Sequence, residues 1–97
     1  SGNITAYSDA SLKSNVETIP DALEKVLSVR GVTFDMNGER GTGVIAQELE
    51  QVLPEAVFDN EETNLKSVAY GNVVGLLIEA IKEQQVQINT LMDMIGE

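Results

Sequence analysis

A chain of 97 residues holds one modest core, so it is a single small domain or the tail end of a larger protein. Its 16 acidic side chains against 6 basic ones give a net charge of −10, which argues against a surface for nucleic acid or anionic membrane, since either needs a basic patch. Cysteine and histidine are both absent, which removes disulfides, thiolate chemistry, and the metal sites and triads that depend on histidine.

Residues 1 to 7 are too short to fold alone and read as the end of something upstream or an expression remnant. They lack the charged and apolar regions of a signal peptide, and the expected setting is reducing and soluble, such as cytoplasm. Ile4 and Ala6 alternate weakly with Thr5 and Tyr7, a pattern compatible with an extended segment. The stretch from Ser8 to Asn15 is polar and rich in turn formers.

Thr18, Pro20 and Asp21 predict a helix start, with proline in the first turn and a carboxylate where the helix dipole favours it. Ala22, Leu23, Val26 and Leu27 would form its apolar face, and Gly31 its stop. A strand follows from Val32 to Met36, with Val32, Phe34 and Met36 on one side. Asn37-Gly38 signals a tight hairpin turn, because both central positions of that turn need positive φ. The returning strand is expected from Thr42 to Ile45, its Gly41 and Gly43 marking a bulge or a close backbone approach.

Ala46 to Leu53 reads as a short helix with Ile45, Leu49, Val52 and Leu53 inward, ended by Pro54. Two more short strands, Val57-Phe58 and Leu65 to Tyr70, are joined by an acidic turn from Asp59 to Asn64. Asn72 is the expected cap of the last helix.

That last helix carries the longest periodic pattern in the chain. Val74, Leu77, Ile81, Gln84, Ile88, Leu91 and Ile95 return at alternating steps of three and four, as consecutive a and d positions do. Up to Ile81 the helix is apolar around most of its circumference, which predicts that the domain packs on several of its sides. Beyond Lys82 the apolar surface narrows to a seam, helped by Val86, Met92 and Met94. A single strand of two heptads is too short to be stable in water, so self-association is expected; the alternative is an amphipathic helix lying on its own domain. Ile at a with Leu at d leans towards two strands, and Gln84 costs stability while fixing register. No apolar run approaches the roughly 20 residues of a membrane span.

Without His or Cys, covalent chemistry would fall to Ser or Thr activated by Lys or a carboxylate. Of the four lysines, Lys13 alone lies near a serine cluster, Ser8, Ser11 and Ser14. A lysine acts as a base only when its amine is neutral, which needs burial or nearby positive charge. Asp9 would oppose this if its carboxylate faced the amine. Residues five apart lie about 140° apart on a helix, so a turn would have to bring Ser8 and Lys13 together. On the residues alone, a polar surface loop remains open beside a dyad.

Several blocks in fixed order bear on that choice. Ser8-Asp9 with Leu12-Lys13 and Asn15, Leu27 with Arg30-Gly31-Val32 and Phe34, Gly43-Val44-Ile45-Ala46-Gln47-Glu48, Pro54-Glu55 with Val57, Val68 with Tyr70, and Leu76-Leu77 with Glu79 to Gln84 follow one another. Together they closely resemble the self-cleaving intramolecular chaperone domain at the carboxyl end of phage endosialidases, tailspikes and tail fibres, a relative of which occurs in the myelin regulatory factor proteins. The resemblance covers residues 8 to about 91.

The resemblance implies an α+β fold, a small antiparallel sheet with short helices and a long carboxyl-terminal helix that forms a parallel trimeric coiled coil. Residues 1–7 would be the end of the upstream fibre, 8–71 the chaperone body and 72–97 the trimerisation helix. It implies a homotrimer that helps an upstream fibre or tailspike fold, in the host cytoplasm during phage assembly or in the virion if it is not released. Release would follow cleavage of the Tyr7-Ser8 bond with Ser8 as nucleophile and Lys13 as general base, Asp9 and Asn15 shaping the loop. No cofactor, metal, nucleic acid or membrane enters this reading.

A non-cleaving trimerisation tip would have the same architecture, and an unrelated acidic adaptor could use the long helix for another partner. The glycines at 31, 38, 41 and 43 make no complete phosphate loop and read as turns and bulges. The pairs Glu48/Glu50 and Glu61/Glu62 read as solvated faces in the absence of convergent ligands.

Overall fold

The computed structural model describes residues 5–96. Ile4, the first residue of the expected extended segment, lies outside these, as does Glu97; Thr5, Ala6 and Tyr7 adopt neither helix nor strand. A single 3₁₀ turn at Ala10–Leu12 follows, and then the chain reaches its first α-helix, α1, at Ala22–Leu27.

The start of α1 departs from the expected cap. Pro20 lies ahead of the helix, and Asp21 takes a left-handed conformation (φ 52°) and makes no side-chain capping bond. Two amides of the first turn go instead to a carboxylate on the last helix. The helix also stops at Leu27, ahead of Gly31, as Ser28 and Val29 turn back with 3₁₀-type bonds to Lys25 and Val26. Leu27, expected on the apolar face, is exposed, whereas Ala22 is fully buried.

Strands β1 (Val32–Met36) and β2 (Glu39–Gly43) form an antiparallel hairpin paired from Met36↔Glu39 to Val32↔Gly43. Asn37 and Gly38 both have positive φ, 54° and 79°, as a tight two-residue turn demands. The returning strand therefore begins at Glu39, earlier than expected. It ends at Gly43 because the Val44 amide donates to the Tyr70 hydroxyl at 3.2 Å and the Ile45 carbonyl starts the next helix. The ladder is regular, so Gly41 and Gly43 serve close approach, not a bulge. A Cβ on Gly41 would meet the Phe34 ring, and one on Gly43 would fall on the Tyr70 hydroxyl.

Helix α2 (Ala46–Glu50) is shorter than the expected span to Leu53, its last residues relaxing into turn before a 3₁₀ segment at Pro54–Ala56. Proline cannot donate an amide, so the ladder stops there. Strands β3 (Val57–Asn60) and β4 (Leu65–Val68) make a second hairpin. Its turn is tightened by the Asn60 side chain, which accepts from the amides of Glu62 and Thr63. Among the described residues the expected antiparallel pairing is divided between two separate two-stranded sheets.

After β4, Tyr70–Val73 forms a 3₁₀ turn that leads into α3 (Val74–Gly96). Asn72 lies inside that turn, its amide donating to Ala69, and so does not cap α3. Leu49, Leu53, Ala56, Val57, Leu76 and Ala80 join Ala22 in the core, where α1 packs on α3. The body covers only one face of α3: Leu76 and Ala80 are buried and Val73 and Glu83 half-buried, while Val74, Leu77, Ile78 and Ile81 stay exposed. Among the described residues, the expected packing around several sides of its first half is therefore not made within the single chain. From Gln84 to Gly96 every residue is exposed, and the molecule reaches 59 Å in its longest dimension.

Candidate functional site

The turn that Ser8 and Lys13 require is the 3₁₀ segment at Ala10–Leu12. Asp9 precedes it in extended conformation, and its carboxylate accepts from the Ser11 amide at 2.8 Å and the Ser11 hydroxyl at 2.6 Å. These bonds, the hydroxyl's first, hold the Asp9 carboxyl below the usual carboxylate range. The Leu12 amide donates to the Asp9 carbonyl and the Lys13 amide to the Ala10 carbonyl, closing the turn from within.

The turn sets Lys13 beside Ser8. Lys13 Nζ donates to Ser8 Oγ at 2.7 Å, within one chain. Asp9 is turned towards Ser11, and among the described residues Lys13 forms no ion pair. Asn15 follows with φ 53°, a left-handed position that asparagine tolerates better than most residues. Tyr7 is almost fully exposed, and every residue from Thr5 to Thr18 is exposed.

The arm rejoins the body at Ile19, which packs against the core. The sequence offered Ala22 and Leu23 only as an apolar helix face and Glu83 only as part of a matching block, not as partners: Glu83 accepts the amides of Ala22 and Leu23 at 2.8 and 3.0 Å. Spacing holds no signal for such a bond, because its partners lie 60 and 61 residues apart.

The seam residues line one strip of α3. Val74, Leu77, Ile81, Gln84, Ile88, Leu91 and Ile95 are all exposed, about a quarter-turn round the helix from Leu76 and Ala80 at 100° per residue. A groove of about 340 Å³ adjoins the strip, lined by Val26, Val29, Tyr70 and Val73 and sharing Val74 and Leu77 with it. The remaining acidic pairs are occupied or solvated. Glu48 meets Arg30 at 2.6 Å, Lys66 bridges Glu50 and Asp59, and Glu61 and Glu62 sit in the exposed turn. Among the described residues no helix is long and apolar enough to cross a membrane, and no acidic group is arranged to hold a metal ion.

The family model described as "chaperone of endosialidase" matches residues 8–58, opening at Ser8 itself. Among curated proteins, the long tail fiber protein Gp37 of Enterobacteria phage K3 is 35% identical over 99 residues, covering 92% of this chain and 8% of that protein. Its counterpart in phage T2 is 35% identical with 92% and 7% covered, and that of phage M1 is 35% identical over 95 residues with 87% and 38% covered. The chain thus spans a small part of the curated relatives it matches.

Proposed function

The chain belongs to the chaperone-of-endosialidase family, and from that premise we propose that it is an intramolecular chaperone: it trimerises through α3, assists the folding of an upstream phage tail fibre or tailspike, and is released by cutting itself at Tyr7-Ser8. The observation that carries the cutting is the 2.7 Å hydrogen bond between Lys13 Nζ and Ser8 Oγ, at the residue where the family match opens. The tail fibre relatives support the fibre as the folding client and the virion, or its assembly in the host, as the setting.

In this reading the neutral Lys13 amine takes the Ser8 hydroxyl proton as Oγ attacks the Tyr7 carbonyl carbon. The proton passes to the Ser8 nitrogen as the C–N bond breaks, leaving Tyr7 joined to Ser8 through an ester. Water, deprotonated by the same amine, attacks the ester carbonyl; the C–Oγ bond breaks, Ser8 Oγ takes the proton back from the amine, and the products are a carboxylate on Tyr7 and a Ser8 whose amino group was freed in the first step. Burial favours the neutral amine, and the arm is exposed in the single chain. Cutting therefore waits until the assembled fibre covers the arm.

Trimerisation draws support from α3. Its last thirteen residues, Gln84 to Gly96, project about 20 Å beyond any cover from the body, and a helix of that length is marginal in water without a partner. Three chains held at their ends raise the effective concentration of the upstream strands. Those strands otherwise meet the loop entropy of long-range pairing before any contact rewards it. Losing the clamp then makes disassembly one-way, a form of kinetic stability.

Mass spectrometry of the chain expressed with its upstream segment tests the cutting. Release of a fragment beginning at Ser8, abolished by Ser8→Ala and by Lys13→Ala, is the expected result. An intact chain that still sediments as a trimer would make the domain a non-cleaving tip.

A further inference from the structure

Among the described residues nothing covers the arm that carries Ser8 and Lys13, so its aim depends on the junction where it meets the body. Two contacts with α3 make that junction. Ile19 lies over Gly75, its Cδ1 3.6 Å from where a Cβ on that glycine would stand. Two turns further along α3, the Glu83 carboxylate receives both the Ala22 and the Leu23 amides. Between these contacts the backbone reverses at Asp21, whose left-handed conformation leaves its own side chain out of the capping role.

We infer that Glu83 is a positioning residue for self-cleavage: it fixes the junction of the arm to the trimerisation helix, so that assembly through α3 sets where Ser8 and Lys13 lie. The inference rests on the cleavage reading above. Lys13 is six residues from Ile19, a reach of at most about 21 Å, so freedom at the junction is passed on to the pair. Glu83 itself faces the body, half-buried, a few residues from the exposed seam positions Ile81 and Gln84. One helix thus holds both the clamp and the arm's anchor. Asp21 cannot substitute, since its backbone is turned the wrong way to offer its carboxylate to the next amides.

The rate and the yield of cutting separate positioning from mere folding. Losing the two amide bonds frees the junction, and the rate then falls with the share of molecules whose arm is correctly placed. With the full chain and its upstream segment, refolded from denaturant and followed by mass, Glu83→Ala is expected to cut about tenfold more slowly, with the same final yield and the same sedimentation. Glu83→Gln keeps the size but has one acceptor oxygen in place of two, and is expected to fall between. Amide exchange at Ala22 and Leu23 should quicken in both variants, cut or uncut.

An unchanged rate in both variants would overturn the inference and leave the cleavage reading standing. So would a loss seen only as fewer assembled molecules, or Ala22 and Leu23 amides that exchange no faster in Glu83→Gln. A parent chain that never cuts would remove the cleavage reading and this inference together.

Discussion

Ser8 and Lys13 stand five apart, a spacing that no regular helix brings face to face, and a single 3₁₀ turn stapled by Asp9 and Ser11 joins them. The sequence showed that a turn was needed and that Asp9 threatened the lysine's role. It did not show that Ser11 would draw the carboxylate away, because hydroxyl orientation depends on local geometry that spacing does not encode. Under the proposed mechanism the base must be a neutral amine, so Lys13→Arg is expected to abolish cleavage, as guanidinium stays protonated. The mass of the upstream fragment after incubation checks this. If an ester forms on the way, hydroxylamine added to the parent should trap Tyr7 as its hydroxamate. Away from the arm, the Gly43 backbone faces the Tyr70 hydroxyl so closely that a side chain there must displace it. Gly43→Ala is expected to cost about 1–3 kcal/mol, as overpacking does. Adding Tyr70→Phe should recover only part, because the ring carbon beneath the hydroxyl lies 3.2 Å from the new Cβ. Denaturant midpoints at fixed protein concentration measure both.

Among the elements, the first hairpin was legible to the residue that turns it, since Asn37-Gly38 occupies the two positions of positive φ. The same turn also dictates that pairing resumes at Glu39, a consequence the alternating pattern hid because Glu39 and Arg40 look like loop residues. The short helices ran over length because apolar spacing continues past Glu50 to Leu53, while the chain has already left the helix to enter Pro54. The cap of α1 was not legible, as its donor set and acceptor lie in different elements. Arg30 and Glu48 tie the segment before β1 to α2 in the same long-range way. The hydrogen bonds from Arg30, more than its charge alone, hold the Glu48 carboxyl below the ordinary glutamate range. A carboxyl lowered in the folded state stabilises above its unfolded value and loses that contribution as pH falls through the folded one. Arg30 is exposed, so solvent screens the pair and its share is small. Thermal melts should therefore show acid destabilisation beginning below about pH 4, with a shallower slope in Glu48→Gln. Lys66 has the opposite sign: its hydrogen bonds to Asp59 and Glu50 raise it, so its contribution is present below the ordinary lysine range and fades in alkali.

At the scale of the molecule, α3 divides its circumference between the body and a strip that the body leaves bare. The strip was legible from its steps of three and four; which side of the first half the body would cover was not, because Val74, Leu76, Leu77 and Ile78 are equally apolar. Burial distinguishes them: Leu76 is 1% exposed and Leu77 46%. Leu76→Ala should destabilise each chain by about 2–5 kcal/mol, whereas Leu91→Ala should chiefly weaken association, seen by sedimentation. Charge works against that association. Each chain carries −10, so in the proposed trimer a large like charge is set against the apolar gain of closing the seam. Salt screens the repulsion, with a Debye length falling from about 30 Å at 0.01 M to about 8 Å at 0.15 M, and leaves seam burial nearly untouched. Sedimentation across that range should show assembly tightening as salt rises, opposite to a clamp held by ion pairs. Melting temperature should rise with protein concentration at every salt level, because folded tails are stabilised by mass action. A concentration-independent melt with a single-chain mass throughout would mean that the bare strip of α3 closes on something other than its own copies.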